Sequence, residues 1–418
     1  MRIAKALLTL AKNGKAATQQ LRVAPTSQKN EALLAIAEAL WRYRDTILKA
    51  NQEDRENGDL SPALLDRLSL EGRLEGIIAD VHSIVSLPDP IGEILESRTL
   101  PSGLKIQKKR VPIGLLGVIY EARPNVTVDI ATLALKTSNC VILRGGKETI
   151  RTNCALHQAV VHALEEVDLP PSAVQLIKSP ERSQVKQLVK LDQYIDMIIP
   201  RGGAGLHAFC RKESYIPVIT GGVGICHLFA DATADLDKAA KVIINAKTKR
   251  PTVCNAIDTL LVHASIAQEF IPLIISNLNH YGVSFRLDET AWKIAHSLQG
   301  NFQYATEQDW QTEWLGLTLG IKVVHSLNEA IQHIEQYGTH HSDGILTESP
   351  EHAHLFVEGV DSAAVYVNAS TYFTDGGQFG LGAEVAISTQ KLHARGPMGL
   401  KELTTYKWIV EGNYNIRG

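Results

Sequence analysis

Residues 114–149 read GLLGVIYEARPNVTVDIATLALKTSNCVILRGGKET. Two short, nearly continuous apolar runs, GLLGVIY (114–120) and CVILRG (140–145), flank TVDIATLALKT (127–137), where apolar side chains recur at helical spacing. A strand that is apolar on both sides has to be covered on both, so the stretch predicts a βαβ unit in a buried parallel sheet. The pattern continues outward. AVQLIK (173–178), DMIIPRG (196–202) and IPVITGG (216–222) read as further strands, separated by helices such as TIRTNCALHQAVVHALEEV (149–167) and ERSQVKQLVKL (181–191). Near residue 225 a second series starts: GICHLFAD, the helix DLDKAAKVIINAKT, AIDTLLVH, the helix SIAQEFIPLIISNLNHYG, TLGIKVVH, SLNEAIQHIEQYG, DGILTES and AAVYVNAS. Two α/β units in tandem therefore account for most of the chain.

Three segments stand apart. The first ninety residues are helical in pattern, with Leu33, Leu34, Ala37, Leu40 and Trp41 on one face, Gly58 as a stop, and Ser61 with Pro62 as a helix start. SRTLPSGLKIQKKRVPIG (97–114) predicts a hairpin turning at Pro101, Ser102 and Gly103, with Lys105, Lys108, Lys109 and Arg110 on its arms. From residue 375 the chain is glycine-rich and then strand-like, and belongs to neither series.

Composition narrows the function classes. The 418 residues carry 42 basic and 45 acidic side chains, a net charge of −3, so no global positive field favours nucleic acid or an anionic membrane. Any anion must be held locally. The longest apolar stretch, VPIGLLGVIY (111–120), is far shorter than the ~20 residues a membrane helix requires. The opening MRIAKALLTLAKNGK is interrupted by Lys12 and reads as an amphipathic helix, so a cytoplasmic location is expected. Five cysteines, at 140, 154, 210, 226 and 254, form no CxxC pair, which suits a reducing compartment.

Glycines and cations after strands are the first candidates for chemistry, because open α/β sheets bind ligands beyond the carboxyl ends of their strands. Three such loops follow one another: Arg144, Gly145, Gly146 and Lys147; Arg201, Gly202 and Gly203; Gly221 and Gly222. None is a GxGxxG fingerprint or a P-loop, and each alone is also explained as a turn needing positive φ. Together they point to nucleotide phosphate. Cys254 follows Lys247, Lys249 and Arg250, and neighbouring cations favour the nucleophilic thiolate and can hold a phosphate leaving group. The other four cysteines sit in apolar strand or helix patterns and read as packing residues. His340, His341, His352 and His354 lack metal-ligand spacing, so no metal site is expected. Asp375 and Glu384 read either as an acid–base couple or as loop-capping carboxylates.

PRGGAG (200–205), KRPTVCNA (249–256), EWLG (313–316), HSDGILTE (341–348) and VNASTYFTDGGQFGLGAEVAISTQKLHARGPMGL (367–400) resemble the gamma-glutamyl phosphate reductase family, within the aldehyde dehydrogenase superfamily. The likeness runs from Arg2 to the C-terminus. It implies an aldehyde dehydrogenase-like α/β fold: a cofactor-binding domain (1–96 and 115–224), a catalytic domain (225–365), and a small β oligomerisation element made of flap and tail (97–114 and 400–418). A glycine-rich substrate-site segment (366–399) completes it. The activity implied is that of an NADP-dependent acyl-phosphate reductase, an enzyme reducing L-glutamyl 5-phosphate to L-glutamate 5-semialdehyde in proline biosynthesis. A homo-oligomer and transient contact with glutamate 5-kinase are implied as well.

Residue by residue, the resemblance makes Cys254 the nucleophile and Asn125 the side-chain donor of the oxyanion hole. Arg144 matches a lysine that contacts the adenosine ribose, and Lys147 replaces an acidic position, which suits the 2′-phosphate of NADPH. Glu313 resembles the glutamate that binds the nicotinamide ribose. Glu121, Arg123, His393 and Arg395 are candidates for the substrate's amino and carboxylate groups, or else for structural salt bridges, and Lys249 and Arg250 for its phosphate. Hydrolytic members carry a general-base glutamate in an ELGG motif, where this chain has Ile219, Thr220, Gly221 and Gly222. Without that base, a thioester passes to hydride rather than to water. The competing readings are a thioester-forming or aldehyde-oxidising aldehyde dehydrogenase and, in another class, a catalytically silent nucleotide-binding scaffold.

Overall fold

The computed structural model describes residues 3–56, 65 and 67–417, so the features expected at Gly58, Ser61 and Pro62 lie outside the described residues. The chain divides into two compact units: Met1–Thr220 with Gly380–Ala386 and Met398–Gly418, and Gly221–Phe379 with Ile387–Pro397. The glycine-rich segment is thus shared out between the two.

In the first unit, β1 (Ile94–Thr99) and β2 (Lys105–Pro112) form an antiparallel hairpin, turning at Gly103 with φ of +85°. β3 (Leu115–Tyr120), β4 (Cys140–Arg144), β5 (Val174–Leu176) and β6 (Met197–Arg201) build a parallel sheet in the order β5-β4-β3-β6. Every residue of β3 and β4 is buried, as their uninterrupted apolar runs require. The connection from β2 into β3 needs glycine. Gly114 has φ of +136°, and a Cβ there would overlap the Asp196 carboxylate, which accepts the Leu115 N–H and pairs with Lys15. IPVITGG is not a full strand. Ile198 gives its N–H to Pro217 O and accepts that of Ile219, a single bridge beside β6 that Pro217, lacking an N–H, does not extend.

The second unit holds a seven-stranded parallel sheet of β7 (Cys226–Ala230), β8 (Ile257–His263), β9 (Ser284–Leu287), β10 (Asn301–Tyr304), β11 (Thr318–Val324), β12 (Ser342–Leu346) and β13 (Ala364–Val367). Its order is β10-β9-β11-β8-β7-β12-β13. Helices Leu236–Thr248, Ala264–Asn279 and Glu289–Ala295 pack into one apolar cluster on it, and Leu327–Tyr337 and Pro350–Gly359 into another. A two-stranded ribbon, β14 (Ile387–Ser388) with β15 (Gly396–Pro397), completes the unit. The last strand, β16 (Thr404–Glu411), returns to the first unit and pairs antiparallel with β2, making a three-stranded sheet of flap and tail. No helix among the described residues is long and apolar enough to cross a membrane.

Candidate active site

In the first unit the chain runs from β3 outward through β4 to β5, then crosses back to place β6 on the other side of β3. The crevice between β3 and β6 is a topological switch point, where loops leaving the carboxyl ends of the strands diverge and a ligand can enter. The loops after β3 and β6 meet there: Glu121 gives its N–H to Arg201 O at 3.1 Å, and its Oε2 accepts the Gly203 N–H at 3.0 Å. A Cβ on Gly202 would come within 2.6 Å of the same carboxylate. Glu121 therefore clamps the Arg201-Gly202-Gly203 loop against its own. Gly203 then caps the helix Ala204–Glu213 with no side-chain hydrogen bond, and a helix N-terminus of this kind can receive an anion.

Asn125 opens the helix Asn125–Lys136 beside this crevice, and its Nδ2 donates to Asp129 Oδ2 at 2.8 Å. Burial pushes the Asp129 carboxyl up to about 7, with Asp80 adding to the rise and Asn125 and Arg201 opposing it. At the end of β4, Arg144 is buried with one Nη on Pro180 O, while Lys147 in the loop beyond is exposed. The Nε atoms of Arg144 and Arg201 are both buried without a hydrogen-bond partner. Unsatisfied guanidinium donors beside strand ends and a helix N-terminus fit a dinucleotide with anionic groups. The glycines of these loops are not at positive φ. Gly145 instead makes room for Asn153 and the Tyr120 ring, while Gly146 and Gly202 lie against the movable carboxylates of Glu148 and Glu121.

In the second unit the candidate residues lie at the amino ends of the strands, not at their carboxyl ends. Cys254 sits in the loop between the helix Leu236–Thr248 and β8, and it is partly exposed. Three contacts hold this loop. A side chain on Gly224, just before β7, would overlap the Cys254 carbonyl oxygen, and the buried Cys226 thiol donates to that same oxygen at 3.2 Å. Asn255 donates to the carbonyls of Tyr372 and Thr374 at 3.1 and 2.9 Å. Glu313 comes to the same place, its Oε1 accepting the Gly224 N–H at 2.9 Å, while Asp258 accepts the Trp314 N–H at 3.1 Å. Cys254, Gly224 and Glu313 thus form one constellation.

The remaining thiols are poor nucleophiles. Burial pushes Cys140 up to about 12 and Cys210 to about 11, raises Cys154, and raises Cys226 well above the ordinary thiol value. Of the three cations ahead of Cys254, Lys249 and Arg250 are exposed, but Lys247 is fully buried. Its Nζ donates to Ile257 O at 2.8 Å and lies 3.7 Å from Asp258, so it anchors β8 and does not face the thiol. Gly221 bridges Ser388, and a Cβ on Gly222 would press on Thr389 at 2.9 Å. Arg395 is bound twice by Asp361, through its carbonyl and its carboxylate, and Lys391 pairs with the same carboxylate. Arg123 and His393 are exposed. Asp375 caps its own loop by accepting the N–H groups of Gly377 and Gln378. His352 pairs with Asp231, and among the described residues no three His, Cys, Asp or Glu side chains are grouped to hold a metal ion. The supporting roles of Gly224, Asn255, Cys226 and Asp129 escaped the sequence reading. Asp129 had a signal there, four residues after Asn125 on a helix.

A sequence profile of the aldehyde dehydrogenase family matches residues 4–293. A gamma-glutamyl phosphate reductase from Shewanella woodyi is 55% identical over 417 residues, covering 99% of this chain and 98% of that protein. One from Histophilus somni is 55% identical over 416 residues, covering 98% and 99%. The crystal structure of gamma-glutamyl phosphate reductase from Thermotoga maritima superposes with a TM-score of 0.95 at 48% identity, covering 99% of this chain and 100% of that one. The chain belongs to the aldehyde dehydrogenase family of nicotinamide-dependent oxidoreductases and, inside it, to the gamma-glutamyl phosphate reductases.

Proposed function

We propose that the chain reduces L-glutamyl 5-phosphate to L-glutamate 5-semialdehyde and phosphate with NADPH, through a thioester on Cys254, in proline biosynthesis. The observation that carries this reading is the Cys254 loop. Its thiol is partly exposed while its backbone is clamped by Gly224, Cys226 and Asn255, the arrangement a positioned nucleophile needs. The thiolate adds to the γ-acyl carbon, and the oxyanion receives hydrogen bonds from the Asn125 amide and the Cys254 N–H. The tetrahedral adduct collapses with loss of phosphate toward Lys249 and Arg250. A nicotinamide cofactor, when bound, would supply the hydride needed to reduce the thioester. Collapse of the resulting thiohemiacetal releases the aldehyde and regenerates the thiol.

Residues 219–222, Ile-Thr-Gly-Gly, carry no carboxylate, so no base at that position activates water against the thioester. Arg144, Lys147, Arg201, Gly202, Gly203, Gly221, Gly222 and Glu313 are the proposed cofactor residues, and Lys147 with Arg144 favours the 2′-phosphate of NADPH. Glu121 holds the Gly203 N–H and Arg395 pairs with Asp361, so both also shape their loops; Glu121, Arg123, His393 and Arg395 are the proposed groups for the substrate's amino and carboxylate ends. The flap and tail strands, with Tyr406, Trp408 and Val410 exposed on β16, are the proposed homo-oligomer contact in a cytoplasmic enzyme, with transient contact to glutamate 5-kinase.

The reverse reaction tests the reading. Purified protein with the semialdehyde, phosphate and NADP is expected to raise absorbance at the NADPH band, and omission of any one component is expected to stop it. Oxidation that proceeds without phosphate, or that accepts simple aldehydes with NAD, overturns it in favour of an aldehyde-oxidising enzyme.

A further inference from the structure

The Asn125 amide nitrogen donates to Asp129 Oδ2 at 2.8 Å, one turn further along the same helix. While Asp129 is ionised it only accepts, so in that state this bond settles which end of the Asn125 carboxamide is nitrogen and engages one of its two N–H groups. The rest of the carboxamide is then held in a single orientation, with the second N–H directed away from Asp129. We propose that Asp129 is a positioning residue for the reaction: it holds the Asn125 amide so that the remaining N–H, rather than the carbonyl oxygen, is presented to the substrate. The inference rests on the reading of Asn125 as the oxyanion donor.

Two further observations support it. Helix-surface pairs at this spacing stabilise a fold only slightly, yet here a carboxyl group is held where burial disfavours its charge. Structural economy alone would place an apolar residue there. The charged groups acting on Asp129 from neighbouring elements are Asp80, on the helix Leu74–Ser86, and Arg201, at the end of β6. Arg201 lies on the loop that flanks the switch-point crevice, and its cationic head offsets part of the cost of ionising Asp129. Preorganised donors are costly to disturb in just this way, because a misdirected amide offers its oxygen to a developing negative charge.

The test is the reverse assay on Asn125→Ala, Asp129→Ala, Asp129→Asn and the Asn125→Ala/Asp129→Ala pair, with unfolding curves for each. Asp129→Ala is expected to lower kcat by about ten- to a hundredfold with KM for the semialdehyde nearly unchanged. Asp129→Asn, whose amide can pair with either end of Asn125, is expected to fall between it and the parent and to lose the acid-side shoulder of the kcat profile near neutral pH. The double variant is expected to be no slower than Asn125→Ala alone. A normal kcat in both Asp129 variants, with Asn125→Ala slow, overturns the inference and leaves the Asn125 reading standing. Multiplying losses in the double variant overturn it too, since the two residues then act separately. A normal kcat in Asn125→Ala overturns that reading and the inference with it. Should Asp129→Ala fail to fold, the near-isosteric Asp129→Asn decides alone, by its kcat and its pH profile.

Discussion

Gly224 and Cys254 compete for one volume: any side chain at 224 would overlap the carbonyl oxygen of Cys254. The obstacle is backbone, not the far end of a flexible side chain, so it cannot swing aside. Gly224→Ala has to push the Cys254 loop or the start of β7, at a cost of roughly 1–3 kcal/mol. Since a displacement of about 1 Å at a reacting atom can cost about a hundredfold in rate, kcat should fall by one to two orders of magnitude. Steady-state kinetics beside a thermal melt check this; a folded variant with unchanged kcat contradicts it.

Cys254 should be the thiol that reacts. Cys140, Cys210 and Cys226 are buried and shifted toward the neutral form; Cys154 is partly exposed like Cys254, but burial raises its thiol too. One equivalent of iodoacetamide is expected to label Cys254 first, with loss of activity in proportion, read by peptide mass spectrometry. Cys254→Ala is expected to abolish turnover and leave NADPH binding nearly intact.

Cofactor choice should turn on Lys147, exposed at the start of the short turn that follows β4. Lys147→Glu replaces attraction by repulsion at the proposed 2′-phosphate. It is expected to weaken NADPH by about tenfold more than NADH, the scale of one charge-assisted hydrogen bond. Equal losses for the two, measured by fluorescence titration, would remove the assignment.

Lys247 should matter to folding and not to substrate. Burial lowers the pKa of its ammonium group and pushes Asp258 up to about 7, each charge opposing the other's shift. Lys247→Met strands Asp258 and the Ile257 carbonyl, and should destabilise the second unit by roughly 3–5 kcal/mol. Adding Asp258→Asn is expected to restore part of the loss. Urea unfolding reads both, and KM for phosphate should not move in any variant that folds.

Acid sensitivity should depend on His341. Burial lowers this imidazole from 6.5 to about 4, so the folded chain stays neutral where the unfolded chain takes up a proton. Between those two values the unfolded state binds more protons, so this contribution is complete above pH 6.5 and is lost as pH falls toward 4. His341→Asn is expected to flatten the stability–pH slope in that window by up to ~1.4 kcal/mol per pH unit, with no change of slope above it. An unchanged slope would show that His341 is not buried neutral.

Much of the architecture was legible because it is local. The uninterrupted apolar runs of β3, β4, β7 and β8 announce strands buried on both sides, and the Pro101-Ser102-Gly103 turn announces the hairpin of β1 and β2. β9 and β10 were missed for the same reason. SFRL and NFQY are four-residue strands toward one margin of the sheet, and β10, mostly exposed, has no apolar run to read. Asn255 carried no signal beyond its place after Cys254, since its partners lie at Tyr372 and Thr374.

The sequence by itself determined the two α/β series and the family, and proposed Cys254 over its four companions, because periodicity and motif spacing are properties of neighbouring residues. Tertiary structure alone decided which of the cations ahead of Cys254 is a core residue. It fixed the antiparallel register in which β16 pairs with β2, in the flap-and-tail element that the family resemblance implies, and set the switch point between β3 and β6. Strand order, desolvation and the approach of Gly224 to a carbonyl thirty residues away are made by contacts between distant parts of the chain, and no local pattern encodes them.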